Sequence, residues 1–134
     1  MVNNRNKHPM DNHDFSFEGL RVYQATRQLV KDVYVLVNKF PAIENFALSS
    51  QIRRAVVSVS ANIAEGSGRS HAKDKAHFVD IAYGSLLETY SELLTAADLG
   101  YITEQEVFNI KPQFIDVGKM LSGLRTSLLN RPAR

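Results

Sequence analysis

The sequence predicts an all-α protein: an antiparallel up-down-up-down four-helix bundle. Three observations carry this. Apolar residues recur at steps of three and four over four long segments. Short connections rich in Pro and Gly separate those segments, as in up-down bundles. No segment shows the alternation of a strand, and no repeat of solenoid period is present. The 134 residues suit one domain. We place the bundle domain at 15–130. Residues 1–14 hold four Asn, two His, two Asp and one Pro, and read as a disordered tail.

The first helix is expected from about Phe17 to Phe40. Val22, Thr26, Leu29, Val33, Leu36 and Phe40 share one face, and Pro41 ends the segment. The second helix is expected from about Asn45 to Glu65. Leu48, Ile52, Val56, Val59 and Ile63 form its apolar seam. Its length exceeds what strands reach, despite the β-branched content. Gly66-Ser67-Gly68 then stops it.

The third helix is expected from about Ala72 to Leu99, with Gly100 closing it. Val79, Tyr83, Leu86, Tyr90, Leu93 and Ala97 make its stripe, and Phe78, Ala82, Ser85 and Thr89 broaden it. Gly84 lies in mid-helix, where glycine costs about 1 kcal/mol relative to alanine. Such a glycine is expected to admit a neighbouring backbone. The fourth helix opens at Thr103 with a capping box, Thr103-Glu104-Gln105-Glu106. Val107, Ile110, Phe114, Val117, Leu121, Leu124 and Leu128 continue it. Pro112 lies off that seam and predicts a kink or a broken first turn.

Composition excludes several chemistries. There is no cysteine, which removes disulfides, thiol nucleophiles and thiolate metal sites. No apolar run approaches a membrane span, and the first residues lack a signal-peptide core. No membrane contact is expected, and the location is expected to be cytoplasmic. The phosphate-loop, dinucleotide, zinc-protease and serine-hydrolase motifs are missing. Glu88 and Glu92 lie one turn apart, but no histidine follows at metal-binding spacing. No catalytic residue, metal or cofactor is expected.

Two sets of polar residues remain. A small or polar row runs beside the apolar seam of the second helix: Gln51, Ala55, Ser58, Asn62, Glu65 and Arg69. With Ser85 and Glu88 of the third helix it is expected to form a structural polar cluster that fixes helix register. Asn62 and Glu88 are expected to be partly buried, and Glu65 and Arg69 to pair at i, i+4. The second set is basic. Net charge is only +2, but it is segregated. Arg53, Arg54, Arg69, Lys73 and Lys75 stand against Glu65 and Asp74 alone, whereas Ala76 to Ile110 contains no Lys or Arg. The five basic residues are the candidate nucleic-acid contacts. No aromatic set interleaves with them, so base-specific readout is not expected.

The motifs of the second helix have a familiar pattern. Gln51-Ile52-Arg53-Arg54-Ala55, Ser58-Val59, Asn62-Ile63-Ala64-Glu65-Gly66 and Arg69 resemble the signature of the 23S rRNA-intervening sequence protein family. Phe17-Glu18-Gly19-Leu20-Arg21-Val22-Tyr23, Gly84-Ser85-Leu86 with Glu88, and Leu99-Gly100-Tyr101-Ile102 agree with it. Tyr83 departs from it, standing where that family often has a basic residue, and so does Pro112. The resemblance implies a four-helix bundle assembled as a homopentamer. It extends to the accessory variability determinant proteins of diversity-generating retroelements, which form a basic barrel that binds a reverse transcriptase and nucleic acid.

The expected function is a non-enzymatic, self-assembling binding or scaffold module with weak, sequence-independent contacts to RNA or a protein–RNA complex. The alternative is a protein–protein adaptor with no nucleic-acid affinity. A small-molecule or metal enzyme built on Asn62, Glu65 and Glu88 is the least supported reading. Self-assembly is expected from surplus apolar positions: Val57, Ala61 and Ala64 on the second helix, and Ile81, Leu87 and Leu94 on the third.

Overall fold

The computed structural model describes residues 15–130. The tail expected over 1–14 lies outside them, as do 131–134. The described residues form four α-helices and no strand: α1 (Arg21–Val37), α2 (Leu48–Ser67), α3 (Ala72–Asp98) and α4 (Glu104–Leu129). Each helix packs on two others, α1 on α2 and α4, and α3 on α2 and α4. The cross-helix pairs run in opposite senses along the chain. Ser58 meets Ser85 while Gly66 meets Phe78. Lys39 meets Glu106 while Asp32 meets Gln113. Tyr90 meets Phe114 while Asp80 meets Arg125. Neighbours α2–α3, α1–α4 and α3–α4 are therefore antiparallel, as the four-helix bundle requires.

The expected seams fill the core. Leu29, Val33, Ile52, Val56, Val59, Leu93, Val117 and Leu121 are sealed from solvent. Burying such a side chain contributes about 1.5–3 kcal/mol. The inner face of α3 follows the expected stripe and its broadening at Ala82, Ser85 and Thr89, and departs from it at Tyr83. Ala76, Ala82, Ser85, Thr89 and Ala96 point inward with Val79, Leu86 and Leu93, while Tyr83 stands partly outside. Small inward residues let α2 come close. The close approach is at Gly66 and not at Gly84. A methyl group on Gly66 would stand 2.8 Å from Cβ of Phe78 and 3.3 Å from the carbonyl oxygen of Lys75, whereas Gly84 faces open space.

Helix ends shift for local reasons. The segment expected to open α1 is instead a separate 3-10 turn, Ser16–Gly19, and Leu20 is extended. Gly19 weakens helical continuity there, and the ring of Phe17 packs 4.8 Å from that of Tyr23. Helix α1 ends at Val37, three residues before Phe40. Helix α2 starts at Leu48, because Ala42–Glu44 makes a 3-10 turn first. The Glu44 carboxylate supplies the missing cap: its Oε2 accepts the Leu48 N–H at 3.1 Å. At the other end α2 runs on through Gly66 to Ser67.

Gly100 closes α3 with φ +78°, a left-handed backbone that suits glycine. Tyr101 N–H donates to the Ala96 carbonyl and Gly100 N–H to that of Ala97, both at 3.0 Å. The capping box of α4 forms as expected. Glu106 N–H donates to Thr103 Oγ1 at 3.1 Å, and Thr103 N–H donates to Glu106 Oε1 at 3.0 Å. Lys39 also pairs with Glu106, and these donors hold its carboxyl below the usual carboxylate range. Helix α4 continues through Pro112 instead of losing its first turn. Pro112 and Phe108 are exposed, so the carbonyl that the proline leaves unpaired is beside solvent.

Candidate interaction surfaces

The polar row divides. Asn62 is half-buried, and its amide donates to the carbonyl oxygen of Ser58 at 2.8 Å and to Ser58 Oγ at 2.9 Å. Ser58 Oγ in turn shares a hydrogen bond with Ser85 Oγ, 2.9 Å away on α3. These three side chains form one polar chain between α2 and α3. Gln51, Glu65 and Glu88 are exposed and stay outside it. For Glu88 this corrects the expectation of burial. Three residues earlier in α3, Ser85 occupies the inward place that Glu88 was assigned. Glu65 pairs with Arg69 at 2.7 Å on the surface, an i, i+4 pair of small energetic weight.

Asn62, Glu65 and Glu88 therefore do not converge on a reacting centre. Among the described residues no group of three or more His, Asp or Glu side chains gathers as a metal would need. One carboxyl is unusual. Glu92 is partly buried, and its Oε2 is shielded from solvent without a hydrogen-bond partner. Burial first, then the charge of Glu88, then the hydrogen bond a proton allows between the two carboxyls, push Glu92 up to about 7.

The basic residues fall into two patches. Arg53 leans toward α1, donating to Asn38 Oδ1 at 3.4 Å and lying 5.7 Å from the centre of the Tyr34 ring. Arg54, the next residue on the helix, is exposed and has no ion-pair partner among the described residues. At the other end of α2, Arg69 stacks 4.6 Å from the centre of the Phe78 ring as well as pairing with Glu65. Lys75 donates to the Ser67 carbonyl at 3.5 Å, and Lys73 is exposed. Arg69, Lys73 and Lys75 thus share the α2–α3 turn, whereas Arg53 and Arg54 stand about four helical turns away.

Apolar surface is the larger feature. Val57, Ile81, Leu87 and Leu94 are exposed as expected; Ala61 is exposed and Ala64 half-buried. Leu87 and Tyr83 of α3, with Ile115 of α4, border a groove of about 430 Å³ between the two helices. Lys111 and Lys119 lie on the α4 side, and no carboxylate lines it. Leu94 and Phe108 border a second hollow of about 250 Å³, which shares Tyr90 and Lys111 with the first. Together they make one largely apolar strip along α3 and α4, with Asp98 and Glu104 at the end by the α3–α4 turn.

Sequence reasoning missed a second apolar feature. Ile43 is 83% and Phe46 99% exposed in the α1–α2 turn. That turn is moored to the α3–α4 turn: Tyr101 OH donates to Glu44 Oε1 at 3.0 Å, and the Phe40 and Tyr101 rings lie 5.5 Å apart. Two apolar residues between Pro41 and the α2 seam were the available signal. They fall on no helical face, so periodicity passes over them.

The 23S rRNA-intervening sequence protein family matches residues 18–123. The chain belongs to that family. It is also similar to a crystal structure of a protein with unknown function from the S23 ribosomal protein family of Bacteroides thetaiotaomicron VPI-5482. The TM-score is 0.71 at 23% identity, over 78% of this chain and 97% of that one. At that identity the likeness is one of fold. No curated protein matches the chain. Among the described residues no helix is long and apolar enough to cross a membrane. The match covers α1 to α3 and most of α4 of this intervening-sequence family member, with both patches of basic residues.

Proposed function

We propose that this family member acts by contact and not by catalysis: it is a self-assembling helical-bundle scaffold that holds RNA weakly through basic patches repeated around the assembly. The apolar strip along α3 and α4 carries the reading, because surface of that kind on a small bundle marks an interface. The sequence resemblance favours five copies. Each copy brings Arg69, Lys73 and Lys75 at one turn and Arg54 about four turns away. Two small patches give few phosphate contacts per copy, and repetition sums them.

Two measurements test the proposal. Light scattering at micromolar concentration is expected to give a mass several times the 15.0 kDa of one chain; a stable monomer overturns the scaffold. Fluorescence anisotropy with structured RNA is expected to show binding at low salt that weakens steeply as salt rises. No binding at low salt, or binding indifferent to salt, favours the alternative of a protein adaptor without nucleic-acid affinity.

A further inference from the structure

Phe46 and the α3–α4 groove are complementary features of one chain. Phe46 presents a whole aromatic ring to solvent, and Ile43 stands beside it. This is not the exposure of a loose loop. The turn that carries them is fastened at Glu44, whose two carboxylate oxygens accept from Leu48 N–H and Tyr101 OH. Phe40, at the start of the turn, is buried in the core. A fastened apolar knob loses little freedom when it seats in a partner. Aromatic residues, Phe among them, are also enriched at the cores of protein interfaces.

The groove has the reciprocal properties. Its volume of about 430 Å³ is within the range that takes a ligand or a pair of large side chains. Tyr83, Leu87 and Ile115 form apolar walls, and Gly118 keeps the α4 side low. Lys111 and Lys119 sit eight residues apart on α4, about 12 Å along the axis. Neither has an ion-pair partner among the described residues. Acidic groups outnumber basic ones at the knob's end of the bundle, where Lys39 is paired with Glu106. Glu44 is in the turn itself, and Asp98 and Glu104 are on the adjoining α3–α4 connection. An acidic, apolar projection and a lysine-flanked apolar groove are matched in both chemistry and sign.

A chain's own knob cannot enter its own groove. Leu87 stands twelve residues before Leu99 on α3, about 18 Å from the end where the α1–α2 turn is moored. We infer that the groove receives the Ile43–Phe46 turn of a second copy, so that self-assembly is head-to-tail through Phe46. This rests on the proposed self-assembly and specifies its contact. Because the two surfaces differ, the contact is heterologous, and successive copies close a ring or run on as a filament.

The test uses two variants of the full chain, Phe46→Glu and Leu87→Glu. Both positions are exposed, so both variants are expected to keep the helical circular dichroism of the parent. Each alone is expected to be monomeric by light scattering where the parent assembles. Mixed one to one, they are expected to form a heterodimer of twice the 15.0 kDa chain mass, because the first retains a working groove and the second a working knob. A mixture that stays monomeric overturns the contact, as does a Phe46→Glu variant that assembles like the parent; either result leaves self-assembly itself standing. A parent chain that is monomeric by itself overturns both, and assigns the groove to a different protein.

Discussion

The hydroxyl oxygens of Ser58 and Ser85 lie 2.9 Å apart, joining α2 to α3 midway along both helices. Asn62 completes the chain by donating to Ser58 Oγ. Ser58 is thus the centre, and the outer two residues depend on it. Ser58→Ala is expected to cost about 1–3 kcal/mol, since it leaves both Asn62 and Ser85 short of a partner. Asn62→Ala is expected to cost less, about 1 kcal/mol, since Ser58 keeps Ser85. Urea unfolding with an unchanged m-value measures both. Equal stability of the Asn62 variant and the parent is the result that removes the cluster's role in fixing register.

Two glycines are expected to respond with opposite signs. Gly66→Ala places a methyl group 2.8 Å from Cβ of Phe78, where the nearby Lys75 carbonyl limits relief. A loss of about 1–3 kcal/mol is expected. Gly84→Ala meets nothing within 4 Å and removes helix-disfavouring freedom, for a gain of about 0.5–1 kcal/mol. Thermal unfolding of the pair distinguishes packing from propensity in a single experiment.

Glu92 ties stability to pH. Its carboxyl rises from 4.5 to about 7 on folding, so the folded chain holds a proton that the unfolded chain releases. The sign follows from linkage: this contribution is fully present below about 4.5, declines as pH rises and is gone above about 7. Glu106 acts oppositely and in a lower window. Its carboxyl is lowered by Lys39 and Thr103, so its contribution is present above 4.5 and lost as pH falls below that value. Glu92→Gln is expected to raise the melting temperature at pH 8 and to flatten its fall between pH 5 and pH 8. An unaltered slope in the variant counts against the assignment.

Lys73 and Arg69 test the RNA contact separately from assembly. The double variant Lys73→Glu, Arg69→Glu is expected to keep the parent's mass by light scattering and to weaken RNA binding at low salt by tenfold or more. The salt slope is expected to become shallower, because fewer phosphates are neutralised. RNA binding that is untouched moves the contact away from the α2–α3 turn.

The helices were legible because their apolar residues repeat at helical spacing; Ile52, Val56, Val59 and Ile63 all face the core. The capping box was legible because its chemistry is local, between Thr103 and Glu106. What escaped depended on distant neighbours. The cap of α2 comes from Glu44, outside the helix, and is held by Tyr101, 57 residues away. Gly84 looked like a site of close approach, but only the register between α2 and α3 decides that Gly66 has that role. The same register sets Ser85 inward and Glu88 outward. Of the basic set, sequence grouped Arg53 with Arg54, but adjacent residues on a helix point in different directions, and Arg53 is engaged with α1.

Glu44 has a further consequence, in time instead of space. Its bond to Leu48 closes a span of four residues and is available as soon as the first turn of α2 nucleates. Its bond to Tyr101 closes a span of 57 and waits until both helical hairpins exist and dock. One side chain is therefore an early initiator of a helix and a late latch of the finished bundle. The knob that Phe46 presents becomes rigid only at the second event, so in the proposed head-to-tail contact firm docking follows the closing of each copy.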